Sequence, residues 1–435
     1  MNLDLTWRLA RLHQLIRRAL GSLALRGWKG TLKRITELSR VQHDGSAAVD
    51  WPVSPAWQDS HSHKHRRMLV VDAIVPNPVR DSGSLRLCMM LRILHQEGWH
   101  VDLLADGGHV TVKDATQLND YGIHLQRGGV MPWLREHGRT LDAVLLCRLS
   151  VAAQYLVPSK RLAPKAIRIF DTVDLHFLRE MRAAEVSGSR RMKQQSETSR
   201  RQELALIRES DISFVVSPVE LELLHKELPD SHIELVSNIH DIHGRTTSFS
   251  ERNGLIFVGG FGHPPNEDAV RWFVAEILPI LQTRDSSLHL HVVGDITSEG
   301  QRDLTQPGVE IHGRVEDLSS LMNRCKVSIA PLRFGAGVKG KVNMAMSYGL
   351  PVVVTSIAAE GMHLVNGHDA LIADTATAFA DAVWRLCRDE ALWVQLSDHG
   401  QDNIKRYFSP EIARGTLCKA LPASGTATSP GSRAT

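Results

Sequence analysis

KVSIAPLRFGAGVKGKVNMAMSYGLPVVV, residues 326–354, reads as strand, glycine-rich loop, helix, glycine stop, proline and strand. Gly335, Gly337 and Gly340 let backbone amides approach an anion, and a helix beginning near Lys341 points its positive end at the same spot. Lys339 and Lys341 add charge. Arg333, just before the turn, offers a forked contact to phosphate. Val342 stands where a Walker loop needs Ser or Thr to hold magnesium, which disfavours an ATPase. Glycines that only shape a tight βα turn would give a similar string. Three glycines and two lysines between a strand and a helix favour phosphate binding.

Working outward, the same rhythm fills both sides of this unit. MLVVDA (68–73), HVDLLA (100–105), AVLLC (143–147), AIRIF (166–170) and SFVV (213–216) are candidate buried strands. Between the first two, Ser84 to Glu97 carries Leu87, Leu91 and Leu94 on one helical face and stops at Gly98. After a polar break at 244–253 the strands resume as GLIFVGG, LHLHVVGD, GVEIHG, KVSIAP, LPVVVTS and DALIAD. Asn266, Glu267 and Asp268 are expected to cap a helix whose buried face is Val270, Phe273, Val274, Ile277, Leu278 and Leu281. Repeated βα units imply parallel sheets covered on both faces, an α/β class.

At 435 residues the chain is long for one core and suits two such domains. The expected organisation is a basic extension and linker at 1–66, a first domain at 67–250, a second at 251–400, a C-terminal helix at 401–420 broken by Pro410, and a disordered tail at 421–435. Net charge is only +3, unlike a general nucleic-acid binder. The positive charge gathers at 1–40, where Leu5, Leu9, Leu12, Ile16, Leu20 and Leu23 alternate with arginines and lysines, a pattern that suits a membrane surface, a partner enzyme or the protein's own body. His61, His63 and His65 read as part of a solvated linker, since no carboxylate or cysteine joins them as ligands. Five cysteines without CxxC spacing fit a reducing compartment, and no apolar stretch is long enough for a signal or membrane span, so a cytoplasmic location is expected.

Further candidates sit at strand ends. Gly259, Gly260 and Gly262 follow a strand, but with spacing that is wrong for a dinucleotide fingerprint. Asp81, Ser82, Gly83 and Ser84 lie between strand and helix, either a ligand loop or an ordinary cap. FDTVDLHFLRE places Asp171, Asp174 and His176 directly after a strand, where catalytic groups gather; Arg179 and Glu180 read as a surface pair.

The IFVGGFGHPPNEDAVRWF, HGRVEDLSSLMNRCKVSIAPL and GAGVKGKVNMAMSYGLPVV segments, with Ala359-Glu360-Gly361, resemble the donor domain of glycosyltransferase family 4. DSGS and DTVDLHFLRE resemble segments of its bacterial polysaccharide-assembling members, and the likeness runs from about residue 68 to 410. The resemblance implies the GT-B fold, two Rossmann-like domains with parallel sheets facing a cleft, and retaining, metal-independent transfer of a hexosyl or deoxyhexosyl group from a nucleotide-diphosphate sugar to a glycan or lipid-linked acceptor. It implies no cofactor and no metal. Arg333, Gly337, Lys339 and Lys341 would hold the diphosphate, and Gly260, Gly313, Arg314 and Glu360 the nucleotide. Asp81 to Ser84 would face the acceptor, with Asp171, Asp174 and His176 catalytic. Two glutamates common in the family are replaced by Ala336 and Met344, and methionine cannot accept a ribose hydroxyl's hydrogen bond as a carboxylate does. A nucleotide-sugar epimerase and a catalytically silent binding module remain alternatives.

Overall fold

Runs of buried β-branched and leucine residues become the strands of two all-parallel sheets. The computed structural model describes residues 66–107, 110–296 and 298–422; the basic segment at 1–40, the polar linker and the His61, His63, His65 run lie outside them. The first sheet contains β1 (Arg66–Asp72), β2 (Trp99–Ala105), β3 (Ile123–Leu125), β4 (Ala143–Cys147), β5 (Ile167–Asp171), β6 (Ile212–Val215) and β7 (Ile233–Leu235), in the order β3-β2-β1-β4-β5-β6-β7. The second contains β8 (Leu255–Val258), β9 (Leu290–Val293), β10 (Val309–Gly313), β11 (Val327–Ala330), β12 (Val352–Val354) and β13 (Leu371–Ile372), ordered β10-β9-β8-β11-β12-β13. Each order reverses once, between β1 and β4 and between β8 and β11, and a doubly wound sheet opens its ligand crevice at such a reversal.

Alternation along β1 shows how both faces are filled. Met68 and Val70 enter one apolar cluster with the helix Ser82–Gln96, while Leu69 and Val71 enter another with the helix Leu149–Leu162. Each fully buried aliphatic side chain of this kind contributes about 2 kcal/mol. The six residues read as the buried face after Asn266 all enter the second domain's core. Their helix starts earlier than expected, at Pro264, and passes through a π-turn at Phe273–Ile277 before ending at Arg284.

The C-terminal region also differs from expectation. One helix runs Glu390–Tyr407 and a second, with Pro410 at its first position, runs Pro410–Ala420. Proline has no N–H to lose there, so it starts the second helix instead of breaking one. Ala413, Leu417, Ala420 and Leu421 pack into the first domain's core, and the carbonyl of Leu421 accepts from Arg66 Nη1 at 3.0 Å. The segment expected to be loose from 421 is thus tied down at its start. All five cysteines are free. Among the described residues, no helix is long and apolar enough to cross a membrane.

Candidate functional site

The second sheet's reversal point is built from glycine and lysine. Gly294, after β9, lies so close to Gly259, after β8, that a Cβ on it would come within 2.6 Å of the Gly259 carbonyl. The turns themselves add no side chain to the crevice, which leaves to Asn266 and the Lys341 ammonium the space beside Gly259. Across it stands the N-terminus of the helix Gly340–Ser347. Lys341 is half-buried, with its ammonium 4.2 Å from the centre of the Phe257 ring and donating to Asn266 Oδ1. Asn266 Nδ2 donates to Gly260 O at 3.0 Å. Asn266 therefore bridges Gly260 to Lys341, a correction to its reading as a cap. Lys339 is buried and its ammonium turns back onto the carbonyls of Gly337 and Ala336. Burial pushes Lys341 down to about 7, with Lys339 adding repulsion, and pushes Lys339 down to about 8. An anion arriving here meets two ammonium groups, or two amines ready to take protons, beside a helix N-terminus.

Two expected contributors stand elsewhere. Arg333 is half-exposed and its fork is already taken by Asp268, with Nε donating to Oδ2 at 2.9 Å. Arg314 is exposed beyond β10, next to Gly313, whose carbonyl accepts from Gly294 N at 2.8 Å. Gly313 thus belongs to the floor of the crevice through its backbone.

The first sheet's reversal point is filled with charge. Asp72, at the end of β1, is 1% exposed and accepts from Arg148 Nε at 2.8 Å. Arg148 holds a φ of 77° and Val173 a φ of 63°, both unfavourable for side chains with a Cβ, the second more so for its branching. Backbone strain of this kind costs roughly 1–3 kcal/mol and persists where surroundings enforce it. Arg148 is held by Asp72 and by the Asp171 carbonyl, and two buried carboxylates fix the backbone that follows Val173. Glu220 accepts from Leu175 N at 3.1 Å, and Glu203 accepts from His176 N at 3.2 Å and Phe177 N at 3.1 Å. Burial raises Glu220 to about 7 and Glu203 to about 8. The loop Thr172–Leu175 and the start of the helix His176–Ser187 are pinned from below.

The three residues expected to be catalytic separate. Asp171 is wholly buried and pairs with Arg86 Nη1 at 2.8 Å, so it holds β5 to the helix Ser82–Gln96 instead of facing substrate. His176 Nδ1 lies 2.7 Å from Arg179 Nη2, and its Nε2 lies 3.2 Å from Glu180 Oε1. A guanidinium can only donate, so Nδ1 is the acceptor and Nε2 carries the hydrogen. The ring's lone pair is spent, which removes His176 as a ready base. Asp174 pairs with Arg179; burial alone would raise its carboxyl, but the guanidinium groups of Arg179 and Arg148 act against that and it is held below the ordinary value. Asp174 is the one of the three that borders the glycine loop, its Cβ 3.6 Å from where a Cβ on Gly337 would stand.

Asp81 and Ser84 satisfy the helix-cap reading, since Ser84 N donates to Asp81 Oδ1 at 2.8 Å and Ser84 Oγ donates to Asp81 Oδ2 at 2.9 Å. Ser82 and Gly83 face the cleft. A Cβ on Gly340 would overlap Ser82 Oγ, and one on Gly83 would meet Val173 at 3.1 Å. The two halves thus touch where the sequence put both loops. Asn238 Nδ2 donates to Asn343 Oδ1 at 3.0 Å, and Ala336 packs on the first domain's core. Arg182 forks onto Glu360 across the cleft, at 2.7 and 2.8 Å, and donates to Gly335 O at 2.8 Å. Glu360 is therefore occupied by a first-domain partner rather than left free for a nucleotide.

Arg148, Arg182, Glu203 and Glu220 carried no role in the sequence, and Asn266 carried only that of a cap. Arg148 had a signal, since it directly follows the strand AVLLC. Arg182, Glu203 and Glu220 stand on helices far in sequence from Glu360, Phe177 and Leu175, which they hold, and only the fold brings them in.

The arrangement has known relatives. The family model described as Glycosyl transferases group 1 matches residues 252–389. A protein of Oryza sativa subsp. japonica named "Probable sucrose-phosphate synthase 2" is 30% identical over 119 residues, which are 25% of this chain; the chain spans 12% of that relative's length. Among solved structures, a sucrose-phosphate synthase from Thermosynechococcus elongatus aligns with a TM-score of 0.62 at 14% identity, covering 82% of this chain and 98% of the other. The Anabaena protein HepE, in complex with UDP-glucose, aligns with a TM-score of 0.62 at 13% identity, covering 82% and 99%. The two parallel-sheet domains facing a cleft are the GT-B fold, and the second of them contains the match to group 1 glycosyl transferases.

Proposed function

We propose that the chain is a glycosyltransferase that moves a sugar from a nucleotide-diphosphate donor, with retention, to a glycan or lipid-linked acceptor in surface polysaccharide synthesis. The observation that carries this reading is the pair Lys339 and Lys341 at a helix N-terminus beside the bare Gly259–Gly260 turn. The donor diphosphate would lie on that terminus, and the sugar would point to Ser82, Gly83 and Asp174. As the bond between C1 and the diphosphate oxygen breaks, its electrons pass to the diphosphate, and the two lysines and the helix dipole stabilise the growing charge. The acceptor oxygen then bonds to C1 from the same face. Because His176 has no free lone pair and Asp174 is held by Arg179, the departing diphosphate is the better recipient of the acceptor's proton. No resident cofactor enters this scheme.

The matching HepE structure holds UDP-glucose, which makes UDP the first nucleotide to try. Titration calorimetry with UDP, GDP, ADP, CMP and dTDP tests the donor site, with Lys339→Ala/Lys341→Ala alongside. Saturable binding of one nucleotide, weakened on the order of a hundredfold in the variant, is expected, as for about 3 kcal/mol of lost charge stabilisation. If none binds to folded protein, the donor-site reading falls.

A second reading has its own observation. Ala336 and Met344 pack into apolar cores, and Glu360 is held by Arg182, so none of these three positions offers a free carboxylate to the donor's ribose. A silent nucleotide-sugar-binding or partner-binding module would retain nucleotide but show no transfer to acceptors and no donor hydrolysis. An epimerase would turn over donor without acceptor.

A further inference from the structure

At the edge of the second sheet, β9 and β10 bring together two alternating pairs, His289-Leu290-His291 and Glu310-Ile311-His312. Residues two apart on a strand share a face, and the parallel register sets Glu310 beside His291, so the four polar side chains gather on one side. His291 Nδ1 lies 3.0 Å from Glu310 Oε2 and 2.9 Å from His312 Nε2, and the last two are 3.7 Å apart. Ligand atoms of His289, His291 and Glu310 all lie within 4.8 Å of one another. Donors around a tetrahedral cation with bonds of about 2.0–2.1 Å stand about 3.3 Å apart, within the 2.9 to 3.7 Å spread of the His291, Glu310 and His312 atoms.

The surroundings add to the argument. His289 Nδ1 lies 2.7 Å from Ser287 O, and a carbonyl only accepts, so Nδ1 carries the hydrogen and Nε2 keeps its lone pair. A backbone carbonyl behind a ligating imidazole is the usual outer shell of a metal-binding histidine. His291 is 2% exposed while Glu310 is 53% exposed, so the cluster has a closed floor and an open mouth. Three imidazoles and one carboxylate suit zinc and its first-row neighbours, not magnesium or calcium, which prefer oxygen.

We propose that His289, His291, Glu310 and His312 form a site for a zinc-class divalent cation that ties the edge strand β10 to β9. The site spans the residue before β9, β9 itself and β10, and none of its four residues is among those placed around the donor crevice, so it stands whether or not the donor reading does.

The test uses the full chain with His61, His63 and His65 changed to alanine, because that run would compete for metal. The protein is stripped with EDTA and titrated with zinc chloride by calorimetry and thermal melting, with magnesium chloride as control. One equivalent of zinc should bind, and the melting temperature should rise by roughly 5–10 °C at hundredfold excess over the dissociation constant. Magnesium should do neither. Glu310→Ala and His312→Ala alter partly exposed positions that the fold tolerates, and each should weaken zinc binding at least tenfold. Absence of stoichiometric zinc uptake, or equal uptake in both variants, would overturn the site and leave the four residues as a hydrogen-bonded clasp between strands.

Discussion

The two reversal points have the same topology and opposite contents. In the first sheet the crevice between β1 and β4 is occupied by the Asp72–Arg148 pair and walled by the strained Val173. In the second, the crevice between β8 and β11 is lined by Gly259, Gly260 and Gly294, with lysines arriving from the facing helix. A filled crevice recognises through side chains already committed to one another. A bare one recognises through backbone and through ammonium groups that donate only to neutral oxygens, which suits a diphosphate better than a hydroxyl-rich acceptor. The first should therefore respond to mutation chiefly in stability, and the second chiefly in binding.

The largest expected effect follows from that contrast. Arg148→Ala leaves Asp72 buried without its cation, and breaking a buried pair from one side costs about 3 kcal/mol or more. Urea unfolding should show that loss, while nucleotide affinity of the folded fraction stays within about twofold of the parent, given that sites without shared partners act nearly additively. Lys339→Ala/Lys341→Ala should behave in reverse, with affinity lost and stability held or improved, since both lysines are charged at a cost. If Arg148→Ala instead abolishes nucleotide binding without unfolding the protein, the division between the two crevices is wrong.

A smaller effect tests whether the halves must touch. Gly340→Ala drives a methyl into Ser82 Oγ across the cleft, a local overlap worth roughly 1–3 kcal/mol. Turnover should fall about tenfold or more as the domains are held apart. Ser82→Gly removes both the hydroxyl and the Cβ that the new methyl meets, so the double variant should recover most of the loss. A double variant as poor as Gly340→Ala alone would place the fault inside the helix rather than at the contact, and the closed cleft would lose its support.

How much of this was legible depends on which kind of residue makes the feature. AVLLC coincides with β4, and every candidate strand of the second domain became one, because buried parallel strands need continuous apolar runs. β3 and β7 escaped notice. Each is three residues at a sheet edge, IHL and IEL, with too little buried surface to leave a run. The glycine-rich loop between β11 and its helix was legible because glycines and lysines act through local geometry. The charged cluster after β5 was visible but misassigned: Asp171 and Asp174 are three residues apart, yet one faces Arg86 in the core and the other Arg179 in the cleft. Asp174 finds its partner five residues on, but Arg86 reaches Asp171 from 85 residues away, and no local pattern announces that pair. Glu203 and Glu220 carry no local mark in the sequence, and the fold buries them under the loop they pin.

The finest test of the bare crevice is its dependence on pH. Without ligand, Lys339 titrates at about 8 and Lys341 at about 7, both depressed by burial from the ordinary lysine value. In that state the unfolded chain holds more protons than the folded one between about 7 and the ordinary lysine value, so the free protein should gain stability as pH rises through this window. A bound diphosphate reverses the balance by favouring both ammonium forms, so binding must draw protons from solution. Affinity should be greatest below about 7 and fall above the free-protein values, by at most about tenfold per pH unit for each lysine. Calorimetry at pH 8, above the phosphate's own titration near 6, in two buffers of different ionisation enthalpy should report proton uptake. Lys339→Ala should reduce that uptake. Binding with no proton exchange and a flat affinity across this range would mean that the lysines do not meet the diphosphate, and the bare crevice would have to bind through its backbone and helix terminus alone.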